Sequence, residues 1–210
     1  MGGPLTSCKA GRPVRSPFPD TPRRDTIEAQ RRTYRPGMHS HITEYLTDRF
    51  SVPLTANFND VVAAFEDAVP AFDQAGLVAE IQRHSDWDTV ETWTMRNAPH
   101  GFLRYWRLEP TTLMAISGGT SSCVSYLFGN HVFAQRMYRY DPRVMALTPL
   151  RCTISQKVGE PVLLTSDVPS SALGSFGDGR ITAIGHFLDR ELAALLRLLG
   201  ASVPEVLAPS

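Results

Sequence analysis

Cysteine is scarce in this chain. Three residues in 210, Cys8, Cys123 and Cys152, are too few for a scaffold built on disulfides. Long apolar runs are also missing: no stretch approaches the roughly 18 residues that a membrane-spanning helix needs. Nor does any segment supply the apolar core of about 7–15 residues that a secretory signal requires. The implied setting is cytoplasmic and reducing, with free thiols. Charge of one sign is lacking too, because 21 Lys and Arg balance 21 Asp and Glu. That balance makes nucleic acid an unlikely partner, since such binding draws on a basic surface. There is no Walker A sequence, no strand-following G-x-G-x-x-G, no G-x-S-x-G, no H-E-x-x-H and no C-x-x-C. The six histidines include no i,i+4 pair, so neither a metal nor a cofactor is expected. What is present is a core-forming composition: 42% of residues are hydrophobic, enough for one folded domain.

The neutral total hides an asymmetry. Residues 1–40 hold eight basic residues against Asp20, Asp25 and Glu28, a net +5, and six of the sixteen prolines. The remaining 170 residues carry net −5. The expectation is a disordered, basic Pro/Arg-rich tail over 1–40 and a single mildly acidic domain over 41–210.

Periodicity within that domain mixes helices and strands. Phe50, Val52 and Leu54 alternate, predicting a strand over 48–54 that Pro53 places at an edge. Asn57 can cap a helix running to Val69, with Phe58, Val61, Val62, Phe65 and Val69 on one face. Further helices are predicted at 74–84 and 87–96, the second with Trp87, Val90 and Trp93 or Thr94 inward. Strands follow at Phe102–Leu108, Thr112–Ser117 and Cys123–Phe128. Asn130 caps a helix over 131–140. Leu150, Cys152 and Ile154 alternate as a strand, Gly159-Glu160 forms a turn, and Val162–Thr165 is the return strand. Pro169–Gly179 reads as a loop. From Arg180 to Leu199, Ile181, Ile184, Leu188, Leu192, Leu195 and Leu199 form one stripe, with His186, Asp189, Arg190 and Arg197 on the opposite face. Gly200 suits the position just past the helix end. Irregular interleaving with hairpins makes the class α+β. Trp87, Trp93, Tyr105 and Trp106 read as core.

Few residues carry chemistry. His131 stands where a strand gives way to a helix, where backbone N–H groups and the helix dipole favour a neutral imidazole. His100 occupies a Pro-His-Gly turn. Arg151 points away from the Leu150-Cys152-Ile154 face and could hold an anion bidentately. Each also has a plain structural role available: cap, turn or ion pair.

The order of short motifs is informative. Ala98-Pro99-His100-Gly101-Phe102, Tyr126-Leu127-Phe128-Gly129-Asn130-His131, Ala134-x-x-Met137, Asp141-Pro142 and Pro149-Leu150-Arg151 occur in sequence. Asp167-Val168-Pro169-Ser170, Phe176-Gly177 and Leu188-Asp189 follow. This series, over roughly 45–207, resembles the DUF302 family. The resemblance implies a two-layer α+β fold, an antiparallel sheet with helices on one face in a TBP-like arrangement, and a homodimer. It carries over no catalytic residue. Many members have Gly-Asn-Pro where this chain has Gly129-Asn130-His131, which puts a titratable group at the helix start.

Three functions follow as expectations. The first is small-molecule binding in a pocket between sheet and helices or at a dimer seam, with His100, Asn130, His131 and Arg151 as polar contacts. The second is a cofactor-independent enzyme of specialised metabolism, an isomerase, cyclase or lyase, with His131 as acid or base and Arg151 or Asn130 holding an oxyanion. The third is a dimeric interaction or regulatory module.

Overall fold

Alternating apolar residues lay down five strands, which join into one antiparallel sheet. In the computed structural model, which describes residues 42–208, these are β1 (Arg49–Leu54), β2 (Leu103–Leu108), β3 (Ser122–Gly129), β4 (Leu150–Gln156) and β5 (Val162–Asp167). Their order is β1-β5-β4-β3-β2, and each neighbouring pair is antiparallel. Pro53 thus lies in an edge strand, where its missing N–H costs no ladder bond. The expected tail, 1–40, lies outside the described residues.

The helices are α1 (Phe58–Ala68), α2 (Gln74–His84), α3 (Trp87–Asn97), α4 (Thr111–Ala115), α5 (His131–Tyr138), α6 (Pro169–Leu173) and α7 (Gly179–Leu198). Side-chain caps start most of these helices. Asn57 Oδ1 accepts from the Asp60 N–H at 3.1 Å, and Asp86 Oδ1 accepts from the Thr89 N–H at 2.7 Å. Each satisfies a helix-start donor that would otherwise lack a partner. Among the described residues no helix is long and apolar enough to cross a membrane.

The helices bury one face of the sheet. Phe50, Val52, Leu54, Val124, Tyr126, Phe128, Cys152, Ile154, Val162 and Leu164 point into that core. Phe65 of α1 stacks on Tyr126, ring centroids 4.6 Å apart. The α7 stripe closes the core through Ile181, Leu188, Leu192 and Leu195, all buried. Burying a side chain of this size contributes about 1.5–3 kcal/mol. Glu66 of α1 ties the layers together: it accepts from the Tyr126 hydroxyl at 2.8 Å and pairs with Arg104 and Arg107 at 3.0 and 2.7 Å.

Among the described residues no helix covers the other face, and the register displays it in rows. Leu108, Ser125, Thr153, Thr165 and Ser51 run side by side across the strands, with Ser51 and Thr165 hydroxyls 2.7 Å apart. Cys123 belongs to this open face, whereas Cys152, paired with Tyr126, faces the core. The two thiols therefore lie on opposite sides of the sheet, and both are free.

A second, smaller core sits beside the first. Leu77, Val90, Trp93, Ala98 and Leu103 form it, with Phe72 and Ile81 against them. It joins α2 and α3 to the start of β2.

Five expectations are corrected. Thr112–Ser117 is not a strand: the segment lies in the β2–β3 connection with no neighbour to pair with, and Thr111–Ala115 turns helical instead. Thr111 pins it by accepting from the Cys123 N–H at 3.0 Å. The loop expected at Pro169–Gly179 contains α6 and a 3-10 turn, Gly174–Phe176. Trp87 is 41% exposed because its indole N–H reaches out to Glu91. Trp106 is 45% exposed, since its register with Leu127 turns it to the open sheet face. Asp189 is buried: it accepts from the Ser170 N–H at 3.0 Å and caps α6 from α7. A Cβ at Gly185 would come within 2.7 Å of Ser170 Cα, so glycine permits this close approach.

Candidate functional site

A break in strand alternation positions the site's first residue. The β2–β3 register slips between Arg104 and Trp106, so Tyr105 leaves the ladder as a bulge. Bulges re-aim side chains in this way. Tyr105 turns toward the start of α5, where β3 ends.

That start is built by Asn130. Its Oδ1 accepts from the N–H groups of Val132 and Phe133 at 2.8 and 3.3 Å. Its Nδ2 donates to the Gly101 carbonyl at 2.9 Å. Gly101 has φ +80°, a backbone shape that glycine adopts without strain. Asn130 therefore fixes α5 against the Pro99-His100-Gly101 turn, and much of its polar capacity is spent there.

His131, the first residue of α5, inserts between three elements. Its Nε2 lies 2.6 Å from Thr94 Oγ1 of α3, and its Nδ1 lies 3.0 Å from the Tyr105 hydroxyl. Phe72 and Trp93 flank the ring, with centroids 5.6 and 6.4 Å away. Burial holds the imidazole pKa below its ordinary 6.5, because a desolvated cation is costly. The ring is thus neutral at pH 7.

Hydrogen-bond arithmetic then assigns the tautomer. Thr94 has one hydroxyl hydrogen, and it donates to the Val90 carbonyl at 2.7 Å. His131 Nε2 must therefore carry a hydrogen and donate to Thr94 Oγ1. Nδ1 is then an acceptor, and the Tyr105 O–H donates to it. The Tyr105 oxygen also faces the His131 backbone N–H, which engages one lone pair and leaves the other to accept. Burial raises the Tyr105 pKa to about 12, so the phenol keeps its proton.

Beside this pair lies a cavity of about 240 Å³. Tyr105, Asn130 and His131 form its polar end. Phe133, Met137, Met145, Pro149, Leu150 and Leu188 are prominent among its apolar walls. No lining residue carries a charge at neutral pH.

The four residues singled out in the sequence divide into two groups. His131 and Asn130 line this cavity. His100 is exposed in its turn and does not line it. Arg151 is exposed on the open sheet face and lines a separate cavity of about 180 Å³ beside Ser166 and Asp167. Two partners of His131 were not singled out. Tyr105 read only as a core residue, because a bulge has no periodic signature. Thr94 was legible only as an inward helix position. Among the described residues, no group of three or more His, Cys, Asp or Glu side chains could hold a metal.

Comparison with known proteins bears on the fold. No protein-family model matches the sequence, and no curated protein matches it. The structure resembles the crystal structure of an uncharacterized conserved DUF302 protein from Bacillus stearothermophilus. The TM-score is 0.53 at 16% identity, covering 72% of this chain and 97% of the other. The fold is α+β, a five-stranded antiparallel sheet with a helical layer, and it is similar to that of a DUF302 structure.

Proposed function

We propose that this domain binds a small, uncharged, largely apolar molecule in the cavity at the start of α5. The observation that carries this is the pairing of an apolar chamber with one polar end, Tyr105 and His131. Pockets of this make-up bind by burial and orient by a few polar groups. An apolar cavity of 150 Å³ accommodates benzene, so 240 Å³ fits a molecule on the order of ten non-hydrogen atoms. Tyr105 offers an acceptor, so a ligand hydroxyl or N–H is the matching group. A carboxylate or phosphate would meet no cation there.

The geometry favours binding over acid–base chemistry at His131. Both ring nitrogens are engaged, and the hydrogen on Nε2 points to Thr94 rather than into the cavity. Arg151, the oxyanion partner expected from the sequence, lies on the other sheet face.

A homodimer belongs to the same proposal. The uncovered sheet face carries Trp106, Leu108, Leu127 and Leu163, an apolar set that a second sheet would cover. Light scattering should give a dimer mass that Leu163→Arg reduces to a monomer; a monomer in the parent protein would remove the dimer.

The binding test uses phenol, indole, 1-octanol and octanoate as probes, with ligand-observed NMR. Phenol, indole or the alcohol should bind, and Ala134→Trp, which fills the chamber, should abolish the signal. Binding of octanoate alone, or binding that survives Ala134→Trp, would refute the proposal.

A further inference from the structure

Helices α5 and α7 lie antiparallel. Phe133 meets Phe187 edge-on at 4.8 Å, and one end further on, the Arg180 guanidinium sits 4.0 Å from the Tyr140 ring centre. Along this seam arginines cover the rings. Arg136 lies over Phe133 and Phe187 at 5.6 and 5.9 Å. Arg190 lies over Phe187 at 5.9 Å, and Arg139 over Tyr140 at 4.9 Å.

Their pairing is uneven. Arg180 is held by Asp178 at 2.6 Å. Arg136, Arg139 and Arg190 have no carboxylate partner among the described residues, and all three are exposed. A guanidinium stacked on a ring is pre-organised, and its edge N–H donors stay free for an anion. From residue 180 to 190 the seam is about 15 Å long at 1.5 Å per residue.

We propose that this arginine–aromatic seam docks a short acidic peptide segment of a partner protein. Three observations select that chemistry. The seam is the outer surface of two helices, too open for a small ligand. The rings lie beneath the guanidiniums, so no aromatic face is left to stack a nucleic-acid base. The three unpaired guanidiniums span only about 15 Å on a domain of net −5, which suits a short acidic segment better than a long polyanion. Glu and Asp carboxylates match the planar donors bidentately.

The test is fluorescence anisotropy of the full chain with a labelled ten-residue Glu/Asp peptide at low salt. The basic tail could also attract this probe, so Arg136→Gln/Arg190→Gln is compared with Arg49→Gln/Arg151→Gln on the opposite sheet face. The seam variant should raise Kd roughly three- to tenfold, the scale of losing two exposed charge pairs. The sheet-face variant should leave Kd within twofold. Absence of peptide binding, or an equal loss in both variants, overturns the proposal. So does tighter binding of a ten-residue oligothymidylate or of phosphatidylserine vesicles that the seam variant abolishes.

Discussion

Thr94→Val removes one oxygen and nearly preserves shape, and its consequence follows from the hydrogen bonds. Thr94 is 2% exposed. Its oxygen accepts from His131 Nε2 at 2.6 Å and its hydrogen goes to Val90 at 2.7 Å. The Val90 carbonyl is within a helix and keeps its backbone partner. The imidazole N–H loses its acceptor inside an aromatic cluster, which costs about 1–3 kcal/mol for an unsatisfied buried donor. At roughly 2–4 °C per kcal/mol for a domain of this size, Tm should fall by about 2–12 °C. Thermal unfolding followed by circular dichroism measures it, and Thr94→Ser should recover most of the loss. Imidazole ¹⁵N shifts give an independent readout: the parent protein should show a neutral Nε2–H ring, and the valine variant a change confined to His131. An unchanged Tm with an unchanged imidazole would refute the network as drawn.

Other outcomes are equally specific. The depressed pKa of His131 makes stability pH-dependent: its contribution is complete above 6.5, the ordinary value, and is lost as pH falls from there through the lower pKa of the folded state. His131→Phe should flatten the denaturation midpoint over that acid window, and a parallel curve would assign the dependence elsewhere. Leu192→Asp places a carboxylate at a position 1% exposed and should cost at least about 5 kcal/mol through the lost burial and the buried charge, which reaches the stability of an ordinary domain and unfolds it; a folded variant by circular dichroism would show that this face is not core. Asp189→Ala strips the Ser170 N–H of its acceptor and should cost about 1–3 kcal/mol in urea unfolding, whereas Arg197→Ala on the same helix, exposed, should change the midpoint little.

What the sequence displayed was periodicity, and what it hid was tertiary placement. Phe50-Val52-Leu54 and the α7 stripe name their buried faces because strand and helix spacing fix them locally. Asn130 declared itself as a cap for the same reason. Asp189 did not: it occupies a helix position that wheels toward solvent until α6 is laid across Gly185. Thr112–Ser117 has β-branched residues but no strand to pair with, a fact that only the sheet order reveals. At the site, His131 was visible as a titratable group at a helix start. Its partners Thr94 and Tyr105 lie 37 and 26 residues away and meet it only because α3 and a bulge converge. Arg151 was legible as outward-facing, but the side of the sheet on which the cavity opens was not.

Native mass spectrometry of protein taken directly from its producing cells tests the central claim most directly. A discrete, uncharged adduct on the order of ten non-hydrogen atoms, released on denaturation and absent from Ala134→Trp, is the expected result. An adduct that is anionic, or that persists when the chamber is filled, would contradict it.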